Sequence, residues 1–439
     1  MTDVQVRTDP SQPAAAADIL LDWFSQKAAS TIRYNPAFLT GLAPSPAAGD
    51  LLRLGGAVYC TDKVVKRSSA ADSWTRTLNL RVPVSDVQRW EAARSELVKA
   101  LSFLSGDRWA LDFVQDAGHP VTAQPLFREY NGVSLFSGGL DSLAGVIDLL
   151  EMGKRLILVG HHDSPLTDTK QTALFEQLRS RHSPGHLELR HLFLRPAPPR
   201  KQQARPLPHG GLETTTRSRS FLYFAAGVAV ADALGATTPL YVPENGFIGI
   251  NVPLTPARVG SLSTRTTHPL YMHRMHRVLD LLGLRHSIEN PYRLLTKGEA
   301  LRQNTDRDLL LHLAPATISC SHPEAPRWDK RPQGNCGYCY PCLIRRASLQ
   351  RVTSDPTPYA WDALTDETLL DRSSKRGRSL RALAASLGSE ERLEDVLING
   401  RIPNGETAAF FDVYRRGRAE LRDWLHGAGP ALRRRMRWP

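Results

Sequence analysis

The chain has 439 residues, 41% of them hydrophobic, enough for two or three domains with real cores. It has no apolar run of about eighteen residues to cross a membrane, and its start, Met1-Thr-Asp-Val-Gln-Val-Arg7, has no secretory apolar stretch. A net charge of +12 suits nucleic acid, but it suits ATP and other anionic substrates equally, since the excess is mostly scattered arginine.

Residues 1–130 predict a small N-terminal α+β domain. Asp9 to Asp18 is rich in Pro and Ala and reads as a loose segment, and Ile19 to Ala28 as a short helix. Gly55–Val65 and Trp74–Val84 alternate apolar and polar residues and predict two strands. Ser85 then caps a helix to about Phe103 that turns Trp90, Ala93, Leu97 and Leu101 inward, and Trp109–Val114 predicts a third strand. Cys60 reads as a buried small apolar residue. No catalytic constellation stands out here; docking a protein partner is one use for the domain.

Residues 131–350 carry the chemistry. Val133, Leu135 and Phe136 predict a buried strand, and Leu143, Val146, Ile147 and Leu150 predict a helix. Between them lies Ser137-Gly138-Gly139-Leu140-Asp141-Ser142. A glycine pair at a strand-to-helix turn lets the backbone approach a ligand closely. The helix N-terminus behind it favours an anion, the two serines add hydroxyls, and Asp141 can hold Mg²⁺ against phosphates. No Gly-Lys-Ser/Thr follows, so this is not a Walker loop.

The alternation continues. Arg155–Gly160, Leu187–Leu194 and Leu240–Val242 predict strands. Helices are expected from Thr167 or Asp168 to about Arg181, over Ser220–Leu234 and over Pro269–Leu282, and from Thr296, whose Glu299 completes a capping-box spacing. Such a βα repeat implies a doubly wound parallel sheet, with the ligand beyond the carboxyl ends of its strands. The stretch Arg195–Gly211 is Pro-rich and basic and reads as a solvated loop or as a lid over pyrophosphate.

Cys320, Cys336, Cys339 and Cys342 form the second signal. Two overlapping Cys-x-x-Cys turns share Cys339, and the remaining thiol, Cys320, is separated from Cys336 by fifteen residues. Four thiolates can close a structural tetrahedral Zn²⁺ site with no open position, in a reducing, cytoplasmic setting. Residues 351–439 predict a helical appendage over Thr365–Leu370, Arg378–Leu387 and Ala408–Leu425, following a helix at Leu343–Arg351, and end in a basic tail.

The loop resembles the Ser-Gly-Gly-x-Asp-Ser signature of PP-loop ATP pyrophosphatases. Together with Ser319-Cys320 and the Cys-Gly-x-Cys-x-x-Cys cluster, it is similar to the 7-cyano-7-deazaguanine synthase (QueC) family. Arg219-Ser-Phe-Leu222 and Thr296-Lys297-Gly-Glu299 resemble further family segments, so the likeness spans about Asn131 to Leu349. The added residues at both ends, the longer cysteine spacing and the altered loops at Pro243–Pro253 and Ser263–Pro269 look like the larger QueC-like proteins of Qat-type anti-phage systems.

The resemblance implies a HUP-like core that binds ATP through Phe136, Ser137, Gly138, Gly139, Leu140, Asp141 and Ser142, with Gly160 and His161 at the next turn. Ser137, Asp141, Ser142, Lys297 and Arg219 would serve the chemistry, with Mg²⁺ near Asp141 and Zn²⁺ on the four cysteines. It implies adenylation of 7-carboxy-7-deazaguanine and transfer of its acyl group to an amine, either ammonia or a partner protein's N-terminus. Glu244, Asn245, Arg265 and His268 are candidates to read the purine edge or the amine. Two other classes remain open: a tRNA-modifying PP-loop enzyme, disfavoured because no RNA-binding module is evident, and a nucleotide-binding scaffold, disfavoured by the intact Asp141 and loop serines.

Overall fold

The computed structural model describes the chain except residues 10, 14–16, 24–29, 117–128, 163, 184, 198–210, 216, 256–264, 372, 429, 431–432 and 435–439. It is a mixed α/β protein built on two sheets, both largely parallel. Among the described residues no helix is long and apolar enough to cross a membrane.

The first sheet uses β1 (Thr2–Arg7), β2 (Ile19–Asp22), β4 (Thr77–Val84) and β5 (Arg108–Gln115) in the order β2-β1-β4-β5. All its pairings are parallel, so this part is itself an α/β layer and not the α+β unit expected. Its helices are α1 (Pro46–Val64) and α2 (Val87–Ser105). Two expectations fail here. The segment Gly55–Val64 lies in α1, with Val65 as its C-cap, and not in a strand, and Ile19–Asp22 is a strand, not the start of a helix.

Glycine explains the first failure. A Cβ at Gly55 would stand 2.8 Å from Ala225 Cβ, and one at Gly56 would meet the Trp23 ring. The glycines let α1 press closely on its neighbours, and the helix is buried nearly all round, which erases the one-sided apolar stripe by which a helix is usually read. Cys60 is fully buried, as expected, but on this helix. Asp86, not Ser85, caps α2.

The second sheet contains β6 (Gly132–Leu135), β7 (Leu156–His162), β8 (Leu187–Pro196), β9 (Leu240–Tyr241) and β10 (Ile288–Glu289), all mutually parallel. An edge strand, β3 (Ile32–Tyr34), comes from the N-terminal part and runs antiparallel to β8. The order is β10-β9-β6-β7-β8-β3. Strands added after β6 go first to one side and then to the other, so this sheet is doubly wound, and a crevice opens where the order reverses beside β6.

Side chains alternate across the sheet. Val133, Leu135, Ile157 and Val159 join the core shared with the N-terminal layer, under α1, α5 (Arg219–Leu234) and α7 (Pro269–Leu281). Leu156 and Leu158 face α3 (Leu140–Glu151), α4 (Pro165–Arg179), α8 (Lys297–Gln303) and α9 (Arg307–Leu313). A third core joins α6 (Gly246–Ile250), the cysteine cluster, α10 (Tyr340–Leu349), α11 (Arg378–Leu387) and α12 (Thr407–His426).

A buried ion network fastens the N-terminal layer to α5. Arg76 Nη2 lies 2.6 Å from Asp107 Oδ2 and 2.5 Å from Asp62 Oδ1, and Arg67 Nη2 lies 3.0 Å from Asp107 Oδ2. The other Asp62 oxygen accepts from the backbone N–H of Ser218 at 3.0 Å and from its hydroxyl at 2.6 Å, at the head of α5. Removing one partner strands a buried charge, at a cost of about 3–5 kcal/mol. Asp107→Ala should therefore lower unfolding free energy by about that much in urea denaturation; a loss below about 1 kcal/mol would contradict this role.

Candidate nucleotide cleft and cysteine cluster

After β6 the chain makes the turn Phe136–Gly139 and enters α3. Gly138 has φ +77°, a conformation that a side chain disfavours, and a Cβ there would also press on Gln171 Cγ at 3.2 Å. Ser137 Oγ accepts from the Gly139 N–H at 3.2 Å and sits 3.2 Å from Ser142 Oγ. Phe136 and Leu140 are fully buried and anchor the loop; Gln171 Nε2 donates to the Phe136 carbonyl at 3.0 Å.

The loop opens onto a cleft of about 440 Å³. Ser137, Gly138 and Ser142 form one side, and Val242, Pro243 and Glu244, just past β9, form the facing side. The cleft thus lies at the reversal point between β6 and β9. Thr167 and Lys170 of α4, Arg217, Arg219, Ser220 and Tyr223 at the head of α5, then Arg265, Thr266, Ile318, Cys320, Ser321 and Pro323 complete most of the wall. Leu104 comes from the N-terminal layer.

The lining is strongly cationic: among the described residues Lys170, Arg217, Arg219 and Arg265 face a single carboxyl, Glu244. Burial and the nearby guanidiniums of Arg67 and Arg265 hold Arg217 down to about 10. Repelling cations gathered at a Gly-rich helix entrance are relieved by an anion. Aromatic rings of the N-terminal layer support them: Arg217 and Arg67 lie 4.7 and 4.9 Å from the Trp74 ring centre, and Arg265 lies 4.8 Å from that of Phe103.

Asp141 lies beside the cleft. Its Oδ2 accepts from Lys297 Nζ at 2.6 Å and from Asn245 Nδ2 at 3.1 Å. Its Oδ1 is buried without a hydrogen-bond partner among the described residues, a disposition that suits a cation. Lys297 is therefore spent on Asp141 rather than turned to the cleft. It is held there from the C-terminal region: Glu420 of α12 accepts from Thr296 Oγ1 and from the Gly298 N–H, and Thr296 with Glu299 makes the expected capping box.

Gly160 and His161 do not line the cleft, contrary to the expectation. Gly160 packs beneath Gln171 and His191. His161 is fully buried between the rings of Tyr59 and Tyr223. Its Nε2 donates to the Leu194 carbonyl at 3.0 Å, so Nδ1 is bare and accepts from Arg219 Nε at 3.0 Å. The His161 carbonyl takes Arg219 Nη2 at 2.8 Å. His161 thus aims Arg219. His268 is likewise fully buried; it caps α7 and sits against Phe103. Asn245 caps α6 through Oδ1 while its Nδ2 holds Asp141.

The four cysteines converge. Cys320 and Cys339 Sγ are 3.8 Å apart, and those of Cys336 and Cys342 are 4.0 Å apart; one sulfur from each lies within 4.8 Å of the others. Zn–S bonds near 2.3 Å in a tetrahedron require about 3.8 Å between sulfurs, so the cluster fits such an ion. Backbone N–H groups of His322, Cys336 and Cys339 point at the sulfurs. Hydrogen bonds with Cys320, Cys336 and Cys342 hold the Cys339 thiol well below its usual range, and those with Cys320, Cys336 and Cys339 push Cys342 up.

The cluster is coupled to the loop. The Ile318 N–H donates to the Gly138 carbonyl at 3.0 Å, and Ser319 Oγ accepts from the Leu140 N–H at 3.4 Å. Arg345 of α10, fully buried, reaches Thr317 Oγ1 at 2.6 Å. Lys170, Arg217 and Thr167 went unread in the sequence. Lys170 and Thr167 sit in the first turns after the second strand of a βα repeat, where a ligand-facing residue is expected. Arg217 had no local signal. No protein-family model, curated protein or solved structure matches the chain.

Glu244 gives a direct test of this environment. Burial, opposed by a 2.5 Å hydrogen bond from Thr267 Oγ1 and reinforced by the Asp141 charge, raises it from 4.5 to about 7. Folding therefore takes up a proton: the stabilisation is full below about 4.5 and is lost as pH rises to about 7. Urea denaturation should find Glu244→Gln gaining about 1–2 kcal/mol over the native chain between about pH 5 and about pH 8, cleft solvent having trimmed the full effect. An unchanged difference would contradict it.

Proposed function

We propose that the cleft binds ATP with its phosphates on Ser137–Ser142, and that the protein is an AMP-forming, QueC-like PP-loop enzyme with a HUP-like core. The observation that carries this is the Gly-rich turn at the reversal point of a doubly wound sheet, facing four cationic side chains. Main-chain N–H groups at the start of α3 and the cations Lys170, Arg217 and Arg265 receive the polyphosphate. Asp141 would hold Mg²⁺ through its unpartnered oxygen, and that ion supplies charge neutralisation of the departing pyrophosphate.

In this reading a carboxylate, that of 7-carboxy-7-deazaguanine, attacks the α-phosphorus. The α–β phosphoanhydride bond breaks, pyrophosphate leaves, and an acyl-adenylate forms. An amine then attacks the acyl carbon and expels AMP, giving an amide and releasing a proton. Glu244, raised to about 7 at the cleft wall, is suited to take that proton. The acceptor is the N-terminal amine of a partner protein in anti-phage defence; ammonia and a second ATP would give a nitrile instead. The four cysteines would hold Zn²⁺, which would clip the cleft wall, and four reduced thiols suit the cytoplasm.

The test supplies purified protein with ATP, Mg²⁺ and 7-carboxy-7-deazaguanine, with and without ammonium, and reads nucleotides by mass spectrometry. AMP and pyrophosphate release that needs the deazapurine, and falls at least about tenfold in Gly138→Ala, is expected. Little nitrile points to another acceptor, and abundant nitrile to ammonia. ADP with phosphate as products, or AMP release indifferent to the deazapurine and to Gly138→Ala, contradicts the assignment.

A further inference from the structure

Behind α4 lies a second group of metal-ligating side chains that neither the nucleotide cleft nor the cysteine cluster uses. His162 ends β7, His191 lies within β8, and Asp168 sits in the first turn of α4. One donor atom from each lies within 4.8 Å of the other two. Asp168 Oδ1 is 2.8 Å from His191 Nδ1 and 3.7 Å from His162 Nε2. Zinc bonds of about 2.0–2.1 Å to nitrogen and oxygen place tetrahedral ligands about 3.3 Å apart, and the two distances bracket that value.

His191 has a place for the proton that a metal at Nδ1 would displace. The other ring nitrogen of His191, Nε2, is buried without a partner among the described residues. Burial disfavours a charged ring at His191, and a neutral imidazole is the form that binds metal. Side chains of His162 and His191 are 17% and 18% exposed and that of Asp168 is 43% exposed. An ion can therefore enter from the solvent side.

The geometry points to a second metal site, in which His162, His191 and Asp168 bind a divalent transition-metal ion such as Zn²⁺. Two imidazoles and one carboxylate suit first-row metals. Three protein ligands leave a fourth position to water, unlike the closed cysteine cluster. Binding at Nδ1 displaces the proton that His191 shares with Asp168, which moves to Nε2 or to solvent.

The consequence is mechanical. Thr167 and Lys170, on either side of Asp168, line the cleft, and Gln171 holds the Phe136 carbonyl. A metal joining α4 to β7 and β8 fixes this wall. The inference does not depend on what the cleft binds.

Full-length protein, stripped by a chelator under reducing conditions, would be titrated with Co²⁺. The expected end point is two equivalents. One gives the strong thiolate-to-cobalt bands of the cysteine cluster, the other a weak visible band without them. Asp168→Asn and His191→Gln should each bind one equivalent and keep the thiolate bands, which also report an intact fold. Asp168 is the safer variant because its side chain is exposed. A single equivalent in the unmodified protein, or two in both variants, overturns the site. Saturation with Zn²⁺ and elemental analysis after desalting should give the same counts.

Discussion

The site depends on one short segment, Thr317–Cys320, held at both ends. At one end Cys320 is gathered into the cysteine cluster. At the other, the Ile318 N–H and Ser319 Oγ grip the Gly138 carbonyl and the Leu140 N–H. A glycine turn has little conformational preference of its own, so its shape must come from what it is tied to. Arg345 adds a buried strut from α10 to Thr317. The cysteine cluster, about 180 residues downstream in sequence, thereby ties down the turn that faces the cleft.

The same logic gives work to the two ends of the chain. The N-terminal layer supplies Leu104, Trp74 and Phe103 beneath and behind the cationic wall, and its Asp62 sets the start of α5, from which Arg219 and Tyr223 project. The C-terminal helix α12 sets Lys297 through Glu420, and Lys297 in turn holds Asp141. Both extensions thus touch the residues that shape the cleft.

Much of this was legible because it is local. The turn at Ser137–Ser142, the capping box at Thr296 and the cysteine spacing each depend on residues a few positions apart. The βα alternation predicted the sheet because apolar runs and helical periodicity are short-range patterns. What was missed is long-range. β3 joins the main sheet through partners in β8 more than a hundred residues away. Helix α1 was read as a strand because close packing at Gly55 and Gly56 surrounds it with protein. Arg217 enters the site only through the tertiary arrangement of Arg67, Trp74 and Arg265. His161 was assigned to the nucleotide by the family resemblance, yet the neighbouring Tyr59 and Tyr223 bury it, and it acts on Arg219.

The most direct measurement is a crystal structure of the protein with α,β-methylene-ATP and Mg²⁺. Phosphates are expected against the Ser137–Ser142 amides, with Lys170 and Arg217 in contact and the α-phosphorus open toward Glu244. A nucleotide bound elsewhere, or a cleft left empty at saturating nucleotide, would contradict it.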